Sequence, residues 1–229
     1  MTDQIPFDLL LFIAMHGLPC LLQCDGAGRV HRRIYAPGCP VPPDVRDADG
    51  LDACLSRSVR DAWIDFIRES ISLNRVLETR VVLDGRLFDL ACMPQSDDPA
   101  APRAWLVLFP ATDKPARMHP DAHRSLRHHE WGHLEALSRC QLDALRSITQ
   151  GLSNQQIADR THRSKRAVEW HIRHLHRLLG VGTRESLARL GRASGVDRFD
   201  DQEWSDVLGT RPARRTLEEF AVPDSSRVA

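Results

Sequence analysis

A chain of 229 residues with 42% hydrophobic and 27% charged residues has the composition of a soluble globular protein, long enough for one large domain or two small ones. The longest early apolar run, Leu9 to Met15, is far too short to span a bilayer. Asp3 and Asp8 also flank it where a secretory leader would be basic, so neither a membrane span nor a signal peptide is expected. The balanced total of 31 basic and 31 acidic residues hides a local asymmetry. Residues 1–120 carry 13 Lys/Arg against 16 Asp/Glu, residues 121–195 carry 13 against 7, and residues 196–229 carry 5 against 8. A basic segment between two acidic ones is what a local polyanion-binding module would produce.

Residues 5–16 read as a short apolar helix. Leu18 to Gln23 and Arg29 to Tyr35 read as strands around the turn Asp25-Gly26-Ala27-Gly28. Residues 36–50, rich in Pro, Gly and Asp, read as loop. From Leu51 an apolar stripe runs through Leu55, Val59, Trp63, Phe66, Ile67 and Ile71, the spacing of an amphipathic helix. Val76 to Leu83 and Leu87 to Met93 form a second hairpin across Asp84-Gly85-Arg86. The wholly apolar run Trp105 to Phe109 reads as a central strand. Residues 111–120 look like a linker, the pattern from 121 is helical, and Gly209 to Ala229 is expected to be loosely ordered. The six cysteines are scattered, as in a reduced cytoplasmic protein.

Between 137 and 195, four segments each open on a cap and close on a glycine. Ser138 with Gln141 and Ser153 with Gln156 are capping boxes. Gly151 ends the first helix, Ser164 opens a third that stops at Gly180, and Thr183 opens a fourth that ends near Gly191 to Gly195. In the third helix Val168, Ile172, Leu175 and Leu179 share one face. Arg166, Trp170, Arg173 and Arg177 lie opposite. An outward Trp among arginines suggests a surface that a partner covers. A helix fits the major groove, where arginine pairs with guanine, and its N-terminus with Lys165 suits a phosphate.

These residues carry a resemblance. Gly151-Leu-Ser153-Asn154-Gln-Gln-Ile157-Ala158, Ser164-Lys-Arg-Ala-Val168-Glu-Trp-His171 and Leu179-Gly180-Val181-Gly-Thr-Arg184 resemble the LuxR-type DNA-binding domain over roughly residues 135–195. The resemblance implies an all-α four-helix domain that reads double-stranded DNA with its third helix and pairs through its fourth. It places Glu169, Trp170 and Arg173 at base-contacting positions, and Ser164, Lys165 and Arg166 at the phosphate-side start. Cys140-Gln141, Ala167 and Leu178 depart from the family pattern. Glu169 suits a cytosine amine and is expected to set specificity, not affinity.

The order of elements in residues 15–111 resembles a PAS domain, on Leu18-Pro19-Cys-Leu-Leu, Asp25-Gly26-Ala-Gly28-Arg29-Val30 and the strands around Asp84-Gly85-Arg86. That implies an α+β sensor with a five-stranded antiparallel sheet. Across it the residue 5–16 helix would pack on a partner subunit. The expected organisation is therefore a sensor and dimerisation domain over 1–115, a linker helix over 116–136, the helix-turn-helix over 137–195 and a tail over 196–229. The expected partners are DNA, a second copy of the chain and a small-molecule or protein signal. No cofactor, metal or catalytic residue is expected. Two other classes stay open. His129-Glu130-Trp131-Gly132-His133, within the cluster His119 to His133, fits the H-E-x-x-H pattern of zinc metallopeptidases, although Gly132 weakens a helix there. The alternative is an interaction module whose helix-turn-helix lacks DNA affinity.

Overall fold

The computed structural model describes residues 20–35, 39–95, 101–111, 121–126 and 128–209. The expected helix over 5–16 and its packing on a partner lie outside them. Five strands, β1 (Cys20–Asp25), β2 (Val30–Ile34), β3 (Leu77–Leu83), β4 (Arg86–Gln95) and β5 (Arg103–Pro110), form one sheet in the order β2-β1-β5-β4-β3. Every neighbouring pair is antiparallel. The turns follow from local chemistry. Asp25 Oδ1 accepts hydrogen bonds from Ala27 N at 2.9 Å and Arg29 N at 3.1 Å, and Gly28 takes φ 81° to close the first hairpin. Asp84 and Gly85, at φ 48° and 70°, make the two-residue turn with both central residues left-handed that suits the twist of a hairpin. β5 is central, as its apolar run predicts, and Trp105 to Phe109 are buried.

Two helices lie between β2 and β3: the single turn α1 (Pro43–Arg46) and α2 (Arg57–Leu73). α2 buries Val59, Trp63, Phe66 and Ile67 against Leu22, Val81, Leu90 and Leu106 of the sheet. It begins at Arg57, six residues later than the apolar stripe suggests. Leu51 and Leu55 do reach the same core, but from a non-helical turn, so a periodic stripe overstates the helix. Cys20, Cys24 and Cys92 are buried here, and desolvation pushes the Cys20 thiol up to about 12.

The C-terminal half is helical, with α3 (Arg139–Thr149), α4 (Asn154–Thr161), α5 (Lys165–Leu179), α6 (Arg184–Ser194) and α7 (Asp201–Gly209). The caps form as read. Ser138 N donates to Gln141 Oε1 at 2.8 Å, and Ser153 N to Gln156 Oε1 at 2.8 Å. Gly180 turns out of α5 at φ 64°. Gly191 sits inside α6, where glycine is intrinsically unfavourable. A Cβ there would lie 2.0 Å from Thr149 Oγ1 and 3.3 Å from Thr149 Cβ. The α3–α6 crossing therefore depends on the missing methyl. Gly191→Ala should cost about 1–3 kcal/mol by overpacking, despite its better helix propensity, and urea denaturation of the full chain measures it.

Two sequence expectations need correction. The described part of the 116–136 segment is not a linker helix. Glu78 N donates to Ala122 O, Arg124 N to Glu78 O and Glu130 N to Val82 O, so residues 122–126 and 128–130 run beside β3 as extended chain. Among the segment's described residues only Gly132–Leu134 coil, as one 3₁₀ turn. Nor is the described part of the expected 196–229 tail, residues 196–209, separate from the folded body, because Val196, Phe199, Trp204, Val207 and Leu208 are buried. They share one apolar cluster with Leu142, Leu145, Ile148, Val168 and Leu175 of the helices and with Val82, Leu87 and Ala111 of the sheet region. Residues 210–229 lie outside the described part. No described helix is long and apolar enough to cross a membrane.

Candidate nucleic-acid interface

α5 is held as an amphipathic rod. Ser164 Oγ accepts from Ala167 N at 3.2 Å, opening the helix, and Val168, Ile172 and Leu175 are buried beneath it. α4 is set ahead of it by Arg184 at the start of α6. The Arg184 guanidinium donates to Asn154 Oδ1 at 2.8 Å and also to Leu152 O, fixing the loop that leads into α4.

The opposite face is open. Ser164, Lys165, Arg166, Glu169, Arg173 and Arg177 are all exposed, and Trp170 retains 42% of its surface. Lys165, Arg166, Arg173 and Arg177 enter no ion pair among the described residues. Other basic side chains nearby are already committed. Arg160 donates to Gln150 Oε1 at 2.7 Å and lies 3.8 Å from Asp143, while Arg163 Nη2 donates to Cys140 Sγ at 3.0 Å. The structure thus separates arginines that hold the domain together from those on α5 that hold nothing. Charge counting alone cannot draw that distinction.

Trp170 is shaped by two histidines that sequence reading passed over. The His174 ring lies 3.9 Å from the Trp170 ring, centroid to centroid, with a 34° tilt, and His171 meets it edge-on at 5.0 Å. His174 Nδ1 also lies 3.2 Å from Trp170 O. The i, i+4 spacing of Trp170 and His174 was the available signal. Stacking fixes the indole in an outward pose and lowers the entropy it loses when a partner covers it.

The deciding comparison concerns this segment. Residues 135–190 match the family described as bacterial regulatory proteins, luxR family. They form a luxR-family helix-turn-helix domain. No curated protein matches the chain. Solved structures similar to it include a Vibrio cholerae VqmA–ligand–DNA complex, 11% identical over 87% of this chain and 92% of that one, with a TM-score of 0.38. A Vibrio cholerae VqmA dimer without target DNA is 11% identical over 89% and 93%, at 0.34. A domain of an HTR-like protein from Haloarcula marismortui is 12% identical over 41% of this chain and 98% of that one, also at 0.34. Identities and scores this low leave the functional reading to the chain's own residues.

Outside this luxR-family segment the H-E-x-x-H run does not build a metallopeptidase site. His129 to Trp131 are not helical and Gly132 and His133 open a single 3₁₀ turn, so no α-helix pairs the two imidazoles at i, i+4. His129 is buried, with Nδ1 3.3 Å from Val82 N, and packs on Trp131 and Phe199. Glu130 turns away to accept a hydrogen bond from Ser56 N at 2.7 Å, at the start of α2. His133 lies against the Gly85 turn. These residues join the extended chain to the sheet.

Proposed function

We propose that the protein is a sequence-specific, non-enzymatic transcription regulator that works as a cytoplasmic homodimer. It lays α5 in the major groove of double-stranded DNA. Arg173 and Trp170 face base edges, with Glu169 accepting from a cytosine amine. Ser164, Lys165 and Arg166 meet phosphates at the helix start, and Arg177 lies further along the same face. The observation that carries this reading is the uncommitted basic face around Trp170, inside a segment that belongs to a family of bacterial regulators. The five-stranded antiparallel sheet with α2 across it supports a PAS-like sensor over residues 1–115, which receives a small-molecule or protein signal. The helix-turn-helix domain would then span 137–195.

Selection of duplexes from a random pool with the full-length protein tests this. Two half-sites in inverted orientation, about 10 base pairs apart, should be enriched. Binding to them should exceed binding to random DNA by about a thousandfold or more and should weaken steeply with salt. An unenriched pool with salt-insensitive binding would instead favour an interaction module without DNA affinity.

A further inference from the structure

The regulator reading leaves unexplained a cluster of buried charges where the helical half meets the sheet. Arg80 on β3, Asp89 on β4 and Glu203 on α7 are each at most 6% exposed. Arg80 Nε lies 3.2 Å from Asp89 Oδ1, and Arg80 Nη1 lies 3.5 Å from Glu203 Oε2. The same Nη1 donates to Arg198 O, while Arg198 Nη1 donates to Ala111 O at the end of β5. Glu203 also caps α7, because Oε2 accepts from Asp200 N at 2.8 Å. α7 is in turn fastened to α3. Trp204 Nε1 donates to Asp143 Oδ1 at 3.0 Å, and Arg146 Nη2 donates to Phe199 O at 2.7 Å.

We propose that the Arg80–Asp89–Glu203 cluster is a latch. It holds the DNA-binding helices at one orientation on the sheet and carries packing changes from the sheet domain to them. This rests on the regulator reading above. The transmission follows from strand geometry. Side chains alternate along β3 and β4, so Arg80 and Val82 face the helices while Val81 and Leu83 face the core under α2. One strand thickness separates the two. A ligand or partner that repacks the α2 core therefore displaces the residues that dock the helices. Buried ion pairs tolerate little displacement, since separation leaves charge without a counter-charge in a desolvated seam. Docked and released are accordingly two discrete arrangements. The latch does not cover α5, whose outward face stays exposed in the docked arrangement. What it sets is where that face points, and so whether two copies meet two half-sites together.

Full-length Glu203→Gln and Leu87→Ala test this by separate chemistries. The amide keeps an oxygen for the α7 cap. Leu87, which lies against Gly195 at the end of α6, is trimmed on the seam side only. The probes are a selected two-half-site duplex and the same duplex with one half scrambled. Both variants should lose about tenfold in the ratio of two-site to one-site affinity, through lower effective concentration of the second reading helix. One-site affinity should stay within about twofold of wild type. Hydrogen exchange of the DNA-free proteins should be about tenfold faster in β3, β4 and α7 and unchanged in α5. Faster seam exchange with an unchanged affinity ratio would overturn the latch, as would unchanged exchange in both variants. Wild-type protein that binds neither duplex would overturn the regulator reading instead, and exchange would still decide whether the seam opens.

Discussion

Arg173→Ala is expected to weaken binding to the selected operator by about 1–3 kcal/mol, roughly 5- to 150-fold, while changing random-sequence binding far less. The guanidinium is exposed, enters no ion pair among the described residues and sits one turn beyond Glu169 on the outward face, so its removal costs the fold little. Lys165→Ala makes the contrast. It lies at the N-terminal end of α5, and in the proposed reading it meets a phosphate, so its loss should weaken specific and random binding alike and reduce the salt slope by about one. Fluorescence anisotropy across a salt series separates the two. Equal losses on both DNAs for both variants would contradict the assignment of base and phosphate roles.

Trp204→Ala should destabilise the chain by about 3–5 kcal/mol, the range for a buried large aromatic. Trp204 is 3% exposed, its indole N–H is satisfied by Asp143, its ring meets Phe199 at 5.8 Å, and the Arg146 guanidinium lies 5.1 Å from its centroid. A denaturation curve of the full-length variant measures the loss. A change below about 0.5 kcal/mol, normal for an exposed position, would show that residues 196–209 are not part of the core.

Much of the architecture was legible because its signals are local. Glycines and Asp at turns marked both hairpins, the uninterrupted apolar run Trp105–Phe109 marked the central strand, and paired Ser and Gln residues marked the openings of α3 and α4. The outward face of α5 was legible for the same reason, since a 100° step per residue determines which side chains oppose Val168 and Leu175. The start of α2 was misread because Leu51 and Leu55 continue the apolar spacing from a turn. The H-E-x-x-H run was ambiguous because three matching letters carry no information about backbone shape.

By itself, the chain's amino-acid order determined the strand-rich first half, the capped helices of the second and the side of α5 that faces outward. Each of these depends on residues within a few positions of one another. Only the tertiary structure decided that Ala122, Arg124 and Glu130 pair with β3, that α7 belongs to the core and that Arg80, Asp89 and Glu203 share a buried seam. Glu203 lies more than a hundred positions from both Arg80 and Asp89, and long-range ion pairing leaves no periodic mark in a sequence. The same holds for the arginines. Whether one is spent on Gln150 or left facing outward depends on which helix ends beside it, and packing alone arranges that.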